Sequence, residues 1–338
     1  MTQQNEAFFI RDYGTSFGTY SLEDEYLHKS IWPDKPHYAL SETQYFSFSV
    51  PEHDIHAFLY CWCHPNLRAV SGGAVVFKGT QPLQLGVELY DYRAHMSDAV
   101  LSEDLGNFRF DNSYSVQMIE PGRIFRLRYE DRERDNAFDV TLTAQSAPVM
   151  WPDNRHFEQV MKTEGFVKLR SQEYAIDGFS MRDRSWGEAR MELALPGPSN
   201  SWAVGTFDAD FAFVAVGTDS PATTPIWSDH YTESMAKPLT FGWMIHNGQR
   251  SPVTECRKRI EYDRSTLMCR SVEMELVTAS GERFDLKGTA TAGTPLPLWP
   301  NIRVPVSLIR WECNGRVGWG ELQDAQWSDF IFDFAEKG

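Results

Sequence analysis

Hydrophobic and polar residues alternate along most of this chain. In "IFRLRYED", Phe125, Leu127 and Tyr129 fall on one face while Arg126 and Arg128 fall on the other. "FDVTLTAQ" sets Phe138, Val140 and Leu142 against Asp139, Thr141 and Thr143, and "RSVEMELVT" repeats the pattern with Val272, Met274 and Leu276. A period of two predicts strands with one face turned to a core. "QYFSFSVP", "HAFLYCWC", "GGAVVFKG", "LGVELYDY", "DFAFVAVG", "LTFGWMIH" and "VSLIRWEC" also have strand character, and most end at Gly, Pro, Asn or Asp. The Asn-Gly pairs in "IHNGQR" and "ECNGRVGWG" predict tight hairpins. Helical character is confined to "SLEDEYLHKS" and the tail "WSDFIFDFAEKG", a turn or two each. Strands spaced about ten residues apart predict an all-β chain of antiparallel barrels or sandwiches rather than βαβ units.

At 338 residues the chain has room for two such bodies. The alternation pauses near "VMWPDNRHFEQVMKTEG", around Pro148 and Pro152, which places the expected domains at 1–165 and 166–338. "GTPLPLWPNIRVPV" reads as a long loop inside the second. A formal charge of −15 repels phosphate backbones and anionic lipid, so nucleic acid is not an expected partner. "MTQQNEAFFIRDYG" has neither the basic start nor the apolar run of a signal peptide, and "FAFVAVG" is too short to span a bilayer. Five scattered cysteines suit reduced thiols, so the expected compartment is the cytoplasm.

Familiar chemical signatures are missing. There is no Gly-rich loop opening a helix, no His-Glu-x-x-His and no Gly-x-Ser-x-Gly, so no organic cofactor is expected. "HDIHAFLYCWCH" offers His53, His56, Cys61, Cys63 and His64 as metal ligands, but on a strand they divide between two faces, and no metal is expected there. "PIWSDHYTES" brings Trp227, Asp229, His230, Tyr231 and Glu233 together, either as a solvated loop or as a proton shuttle built on Asp229 and His230. Their adjacency works against a direct pair. The densest stretch is "DGFSMRDRSWGEAR". If it is extended, Met181, Asp183 and Ser185 share one face and Arg182, Arg184 and Trp186 the other. Arginine does not act as a general acid, but Arg182 and Arg184 could clamp a carboxylate or stabilise an anion, with Asp183 as base or anchor. The reading the chemistry favours over catalysis is that the same residues form a buried ionic lock.

Three segments in order carry a family likeness: "EYLHKSIWPDKPHYALSETQYFSFSVP" with His28, Glu42, Tyr45 and Phe46; "FEQVMKTEGFVKLR" with Glu158 and Gln159; and "YAIDGFSMRDRSWGEAR". On these the chain resembles the hydroxyneurosporene-synthase-like proteins, the carotenoid 1,2-hydratase and AttH superfamily of tandem lipocalin-like barrels. The third segment is similar to that family's Arg-Asp-His-Ser-Trp-Gly signature at Arg182, Asp183, Ser185, Trp186 and Gly187, with Arg184 where relatives carry histidine. A histidine that shuttled protons there would have no replacement in Arg184, whereas a structural cation would. The resemblance implies two consecutive lipocalin-like barrels and an aromatic-lined pocket for a terpenoid or aromatic molecule. It implies a cofactor-independent acid-base enzyme, a hydratase, dehydratase, lyase or isomerase. The competing expectation is a lipocalin-like carrier that does no chemistry. The candidate catalytic residues are Asp183, Arg182, Arg184, His230, Asp229 and Glu158, with Trp186, Tyr45, Trp227 and Tyr231 as candidate walls.

Overall fold

The structure, a computed structural model, describes residues 13–31, 40–187, 197–299 and 301–337. Among them β-strands dominate. The first sheet begins with β1 (Ser41–Val50), β2 (Ile55–His64), β3 (Ala69–Lys78) and β4 (Leu89–Ser97). Short β5 (Ser102–Leu105), β6 (Asn107–Arg109) and β7 (Ser115–Glu120) follow, then β8 (Ile124–Asp131) and β9 (Asn136–Ala144). A two-residue β10 (Val149–Met150) leads into the long hairpin of β11 (His156–Leu169) and β12 (Gln172–Gly187). The antiparallel order is β4, β3, β2, β1, β12, β11, β9, β8, β7, β6, β5, with β10 added on β11, a half-barrel. The second body is a closed eight-stranded barrel. Its strands are β13 (Asn200–Asp208), β14 (Phe211–Thr218), β15 (Phe241–His246), β16 (Gln249–Tyr262), β17 (Cys269–Thr278), β18 (Arg283–Trp299), β19 (Ile302–Cys313) and β20 (Arg316–Trp327). Helix α1 (Ser328–Lys337) ends the described chain.

The alternation translates directly into burial. On β8, Phe125, Leu127 and Tyr129 are buried, and on β9 Phe138, Val140 and Leu142 join them in one core cluster. On β17, Val272, Met274 and Leu276 do the same for the barrel. Both Asn-Gly pairs sit in two-residue turns with positive φ at both positions, 52° and 72° at Asn247 and Gly248, as a type I′ hairpin requires. Trp311 fills the barrel interior beside Gly205 and Gly288, where an added Cβ would come within 2.8 and 2.7 Å of its ring. Much of the aromatic content is spent this way. Trp151, Trp227, Trp243, Trp311 and Trp327 are all among the fully buried side chains.

One expectation is corrected. The Pro-rich stretch near residue 300 is not a long loop, because β18 runs to Trp299 and β19 starts at Ile302. Pro295 faces Pro305 across the ladder, and an irregularity between Leu296 and Trp299 absorbs the change of register. The described residues form two compact units. One spans Phe17–Lys78 and the chain from Leu85 through β12; the other takes in Gly79–Gln84 and the chain from β13 onward. Residue 165 lies inside β11, whose hairpin with β12 belongs wholly to the first sheet. No helix among the described residues is long and apolar enough to cross a membrane.

Candidate active site

The Arg182–Trp186 stretch is extended, and its even-numbered side chains point to the face that carries the core of the half-barrel. A 3-10 turn, Leu22–Glu25, lies against this face. Glu25 accepts from Arg182 Nη2 at 2.6 Å and Nη1 at 2.9 Å, a bidentate pair with both side chains fully buried. Arg182 Nε donates to Gln159 at 2.7 Å, and the guanidinium covers the Phe125 ring at 4.4 Å. Arg184 donates to the Glu25 and Tyr26 carbonyls at 2.8 and 3.2 Å and to Glu42 at 3.0 Å. His28 bonds Glu42 through its backbone N–H and Nδ1, and its ring stacks on Trp186 at 4.1 Å. Burial alone would push the Glu25 carboxyl up, but the Arg182 charge and hydrogen bonds, helped by Tyr20 and Arg184, hold it below the usual carboxylate range. Two arginines here face two carboxylates.

The odd-numbered residues face the other way. Asp183 lies beside Glu158 on β11 and Tyr45 on β1. Glu158 is fully buried and accepts from Trp151 Nε1 and pairs with His156 Nε2, each at 2.9 Å. Tyr45 packs on Phe58 at 5.0 Å between ring centroids. The six expected catalytic residues therefore fall in three places: Arg182 and Arg184 on one face, Asp183 and Glu158 on the opposite face, and Asp229 and His230 in the barrel unit. The histidines and cysteines of "HDIHAFLYCWCH" divide as expected. Cys61 and Cys63 enter the core cluster, while His56 bonds Ser49 at 2.9 Å on the opposite face. Among the described residues no group of three His, Cys, Asp or Glu is placed to hold a metal.

In the barrel unit, the β14–β15 connection carries Trp227, Asp229, His230 and Tyr231 in a 3-10 turn and the residues after it. Asp219 anchors this loop. It accepts from Trp227 Nε1 at 3.1 Å and Tyr262 OH at 2.6 Å, and its backbone carbonyl accepts from Tyr231 OH at 3.3 Å. Lys258 Nζ forms an ion pair with Asp219 at 3.0 Å and also donates to the Gly217 carbonyl. Trp227 and Tyr231 are buried packing, 1 % and 5 % exposed. Asp324 completes a second carboxylate in the same interior, accepting from Ser199 at 2.6 Å and Gln326 at 2.8 Å. Burial, and then the Asp219 charge, push its carboxyl up to about 6 against those bonds.

His230 does not pair with its neighbour Asp229. Its Nδ1 bonds Asp333 of α1 at 2.6 Å, and Phe334 packs on its ring at 5.4 Å. The ring is only 4 % exposed, yet it borders a cleft of about 1070 Å³. Ile226, Leu267, Ile331 and Phe334 supply apolar walls there, and Asp229, Arg264 and Arg303 the charge. Among the described residues His230 Nε2 has no hydrogen-bond partner. A carboxylate accepting from Nδ1–H fixes the neutral tautomer, leaving Nε2 to take or give a proton. Asp333, Asp219, Asp324 and Arg303 were not singled out by sequence reasoning. Asp333 lies 103 residues from His230, and only its place in a short amphipathic tail helix hinted at a surface against the barrel.

This architecture, a half-barrel sheet followed by a closed eight-stranded barrel, is a two-barrel lipocalin-like fold. Its sequence belongs to the family described as a domain of unknown function, DUF7064, whose profile matches residues 21–331. Among solved structures, a candidate AttH from Nitrosomonas europaea superposes with a TM-score of 0.65 at 12 % identity, over 92 % of this chain and 97 % of that one. Kievitone hydratase from Nectria haematococca gives a TM-score of 0.47 at 12 % identity, over 96 % of this chain and 100 % of that one. Comparison with curated proteins gives no match.

Proposed function

We propose that the protein is an acid-base enzyme acting on a hydrophobic small molecule in the cleft of the barrel unit, by addition or removal of water or by isomerisation. The observation that carries this reading is the His230–Asp333 pair at the cleft wall. A histidine held by a carboxylate through one nitrogen, with the other unpaired beside a cleft of mixed apolar and charged walls, is the arrangement general acid-base catalysis needs. Asp333 is a positioning residue, and Asp229 contributes charge at the rim. The Arg182–Glu25 and Arg184–Glu42 pairs serve as an architectural lock, since every one of these side chains is fully buried and engaged within the half-barrel. Asp183 and Glu158 belong to the opposite face, with Tyr45, and Trp186 supports His28 in the lock. On this reading Arg184 stands in for the family histidine as a structural cation.

The competing reading is a carrier that holds the same molecule unchanged. Small molecules co-purifying with the protein, identified by mass spectrometry, separate the two when returned to the wild type and to His230→Gln. An enzyme converts one of them with a change of one water or to an isomer of new retention time, and His230→Gln loses on the order of a hundredfold or more in rate. A molecule that binds and comes back unchanged from the wild type establishes the carrier.

A further inference from the structure

Arg303 is the most telling side chain of this cleft. It projects from β19 directly opposite Gln326 of β20 and is half-buried. Its Nη1 donates to Gln326 Oε1 at 2.8 Å and its Nη2 to the Thr266 carbonyl at 2.6 Å. Gln326 is itself fixed, because its Nε2 donates to Asp324 at 2.8 Å and to the Leu267 carbonyl at 2.7 Å. The guanidinium is thus held in one orientation by two neutral acceptors. Among the described residues no carboxylate lies within salt-bridge distance of it. Burial lowers its pKa from the ordinary arginine value, with Asp324 only partly opposing, the mark of a cation that has lost water without gaining a counter-ion. Arg264, on the turn after β16, adds a second guanidinium to the same cleft and likewise makes no ion pair among the described residues. With Asp229 the only carboxylate lining the cleft among the described residues, the two arginines outnumber it in a chain of net charge −15.

A half-buried arginine costs desolvation energy unless something returns it, and its planar fork matches a carboxylate through two parallel hydrogen bonds. We infer that the cleft takes an amphipathic carboxylate, its apolar body laid on Ile226, Leu267, Ile331 and Phe334 and its carboxylate clamped by Arg303. This deepens the proposed function and rests on reading the cleft as the substrate site. The clamp would fix one end of the molecule while His230 works on another, so that binding energy is used for orientation.

Isothermal titration of the full chain with decanoate and decan-1-ol, probes of one chain length and different head group, tests it. Decanoate should bind about tenfold or more tightly than the alcohol. Arg303→Met should bring decanoate down to the alcohol's affinity and leave the alcohol unchanged, while Arg303→Lys keeps part of the preference. Arg303→Gln, which retains a donor toward Gln326, serves in place of Met if the latter loses its circular dichroism. Equal binding of the two probes by the wild type, or a preference that survives loss of the charge, overturns the carboxylate clamp and leaves the cleft as a hydrophobic site. Absence of binding by either probe overturns both the clamp and the cleft reading.

Discussion

Each unit of this protein buries an ionic cluster, and the two are built to opposite ends. In the half-barrel, Glu25 and Glu42 meet Arg182 and Arg184. Arg184 also donates to the backbone carbonyls of Glu25 and Tyr26. In the barrel, Asp219 and Asp324 share an interior with a single lysine, Lys258, and the surplus is met by neutral donors from Tyr262, Ser199 and Gln326. The first cluster sets one arginine against each buried carboxylate. The second carries an excess of negative charge, so one carboxyl holds its proton more tightly than an ordinary aspartate. Burial is common to both, and the count of opposite charges decides whether it yields a lock or a proton store.

Breaking the lock should have the largest effect. Arg182→Ala strands the fully buried Glu25 and should cost about 3–5 kcal/mol in urea unfolding. A loss under about 1 kcal/mol would show that the pair is not what holds the 3-10 turn to the sheet. In the barrel the sign reverses. Asp324→Asn removes the excess charge and should stabilise the protein at pH 8 by about 1–3 kcal/mol, since a carboxyl pushed from its ordinary 3.8 to about 6 opposes folding once ionised.

The pH dependence sharpens the contrast further. Glu25 has a folded value below its unfolded one, so its contribution is full above the ordinary carboxylate range and is lost as pH falls below that range through the lower folded value. Asp324 binds its proton more tightly when folded, so its contribution is greatest below about 4 and declines as pH rises toward 6. Hydrogen exchange followed by mass spectrometry, corrected for the intrinsic rate, should show β20 gaining protection from pH 6 to 4 and β12 losing it below that. Parallel responses in the two strands would remove the distinction. The smallest effect belongs to the cleft. Asp333 is 36 % exposed, so Asp333→Asn should change stability by less than about 1 kcal/mol while slowing turnover. A large destabilisation there would make the His230–Asp333 pair another lock.

The half of the cluster that sits on one strand was legible beforehand. Period two alone places Arg182, Arg184 and Trp186 on one face and Asp183 on the other, and β12 confirms it. What the arginines met could not be read, because Glu25 lies 157 residues away in a 3-10 turn whose acidic run, Glu23, Asp24 and Glu25, looks like any solvated surface. Asp229 and His230 do not pair with each other, as their adjacency implied, and His230 finds its carboxylate elsewhere. Adjacency in sequence kept the two visible, while the partner that counts, Asp333, comes from the far end of the chain.

By itself, then, the sequence determined the strands, their buried faces, the hairpin turns and the all-β class, because side-chain alternation and positive-φ turns are set by residues within a few positions of each other. Tertiary structure alone decided which charges are neutralised, which carboxyl keeps its proton and which histidine is poised beside a cavity. Those properties depend on desolvation and on distances of a few ångströms between groups remote in the chain, and local pattern carries neither.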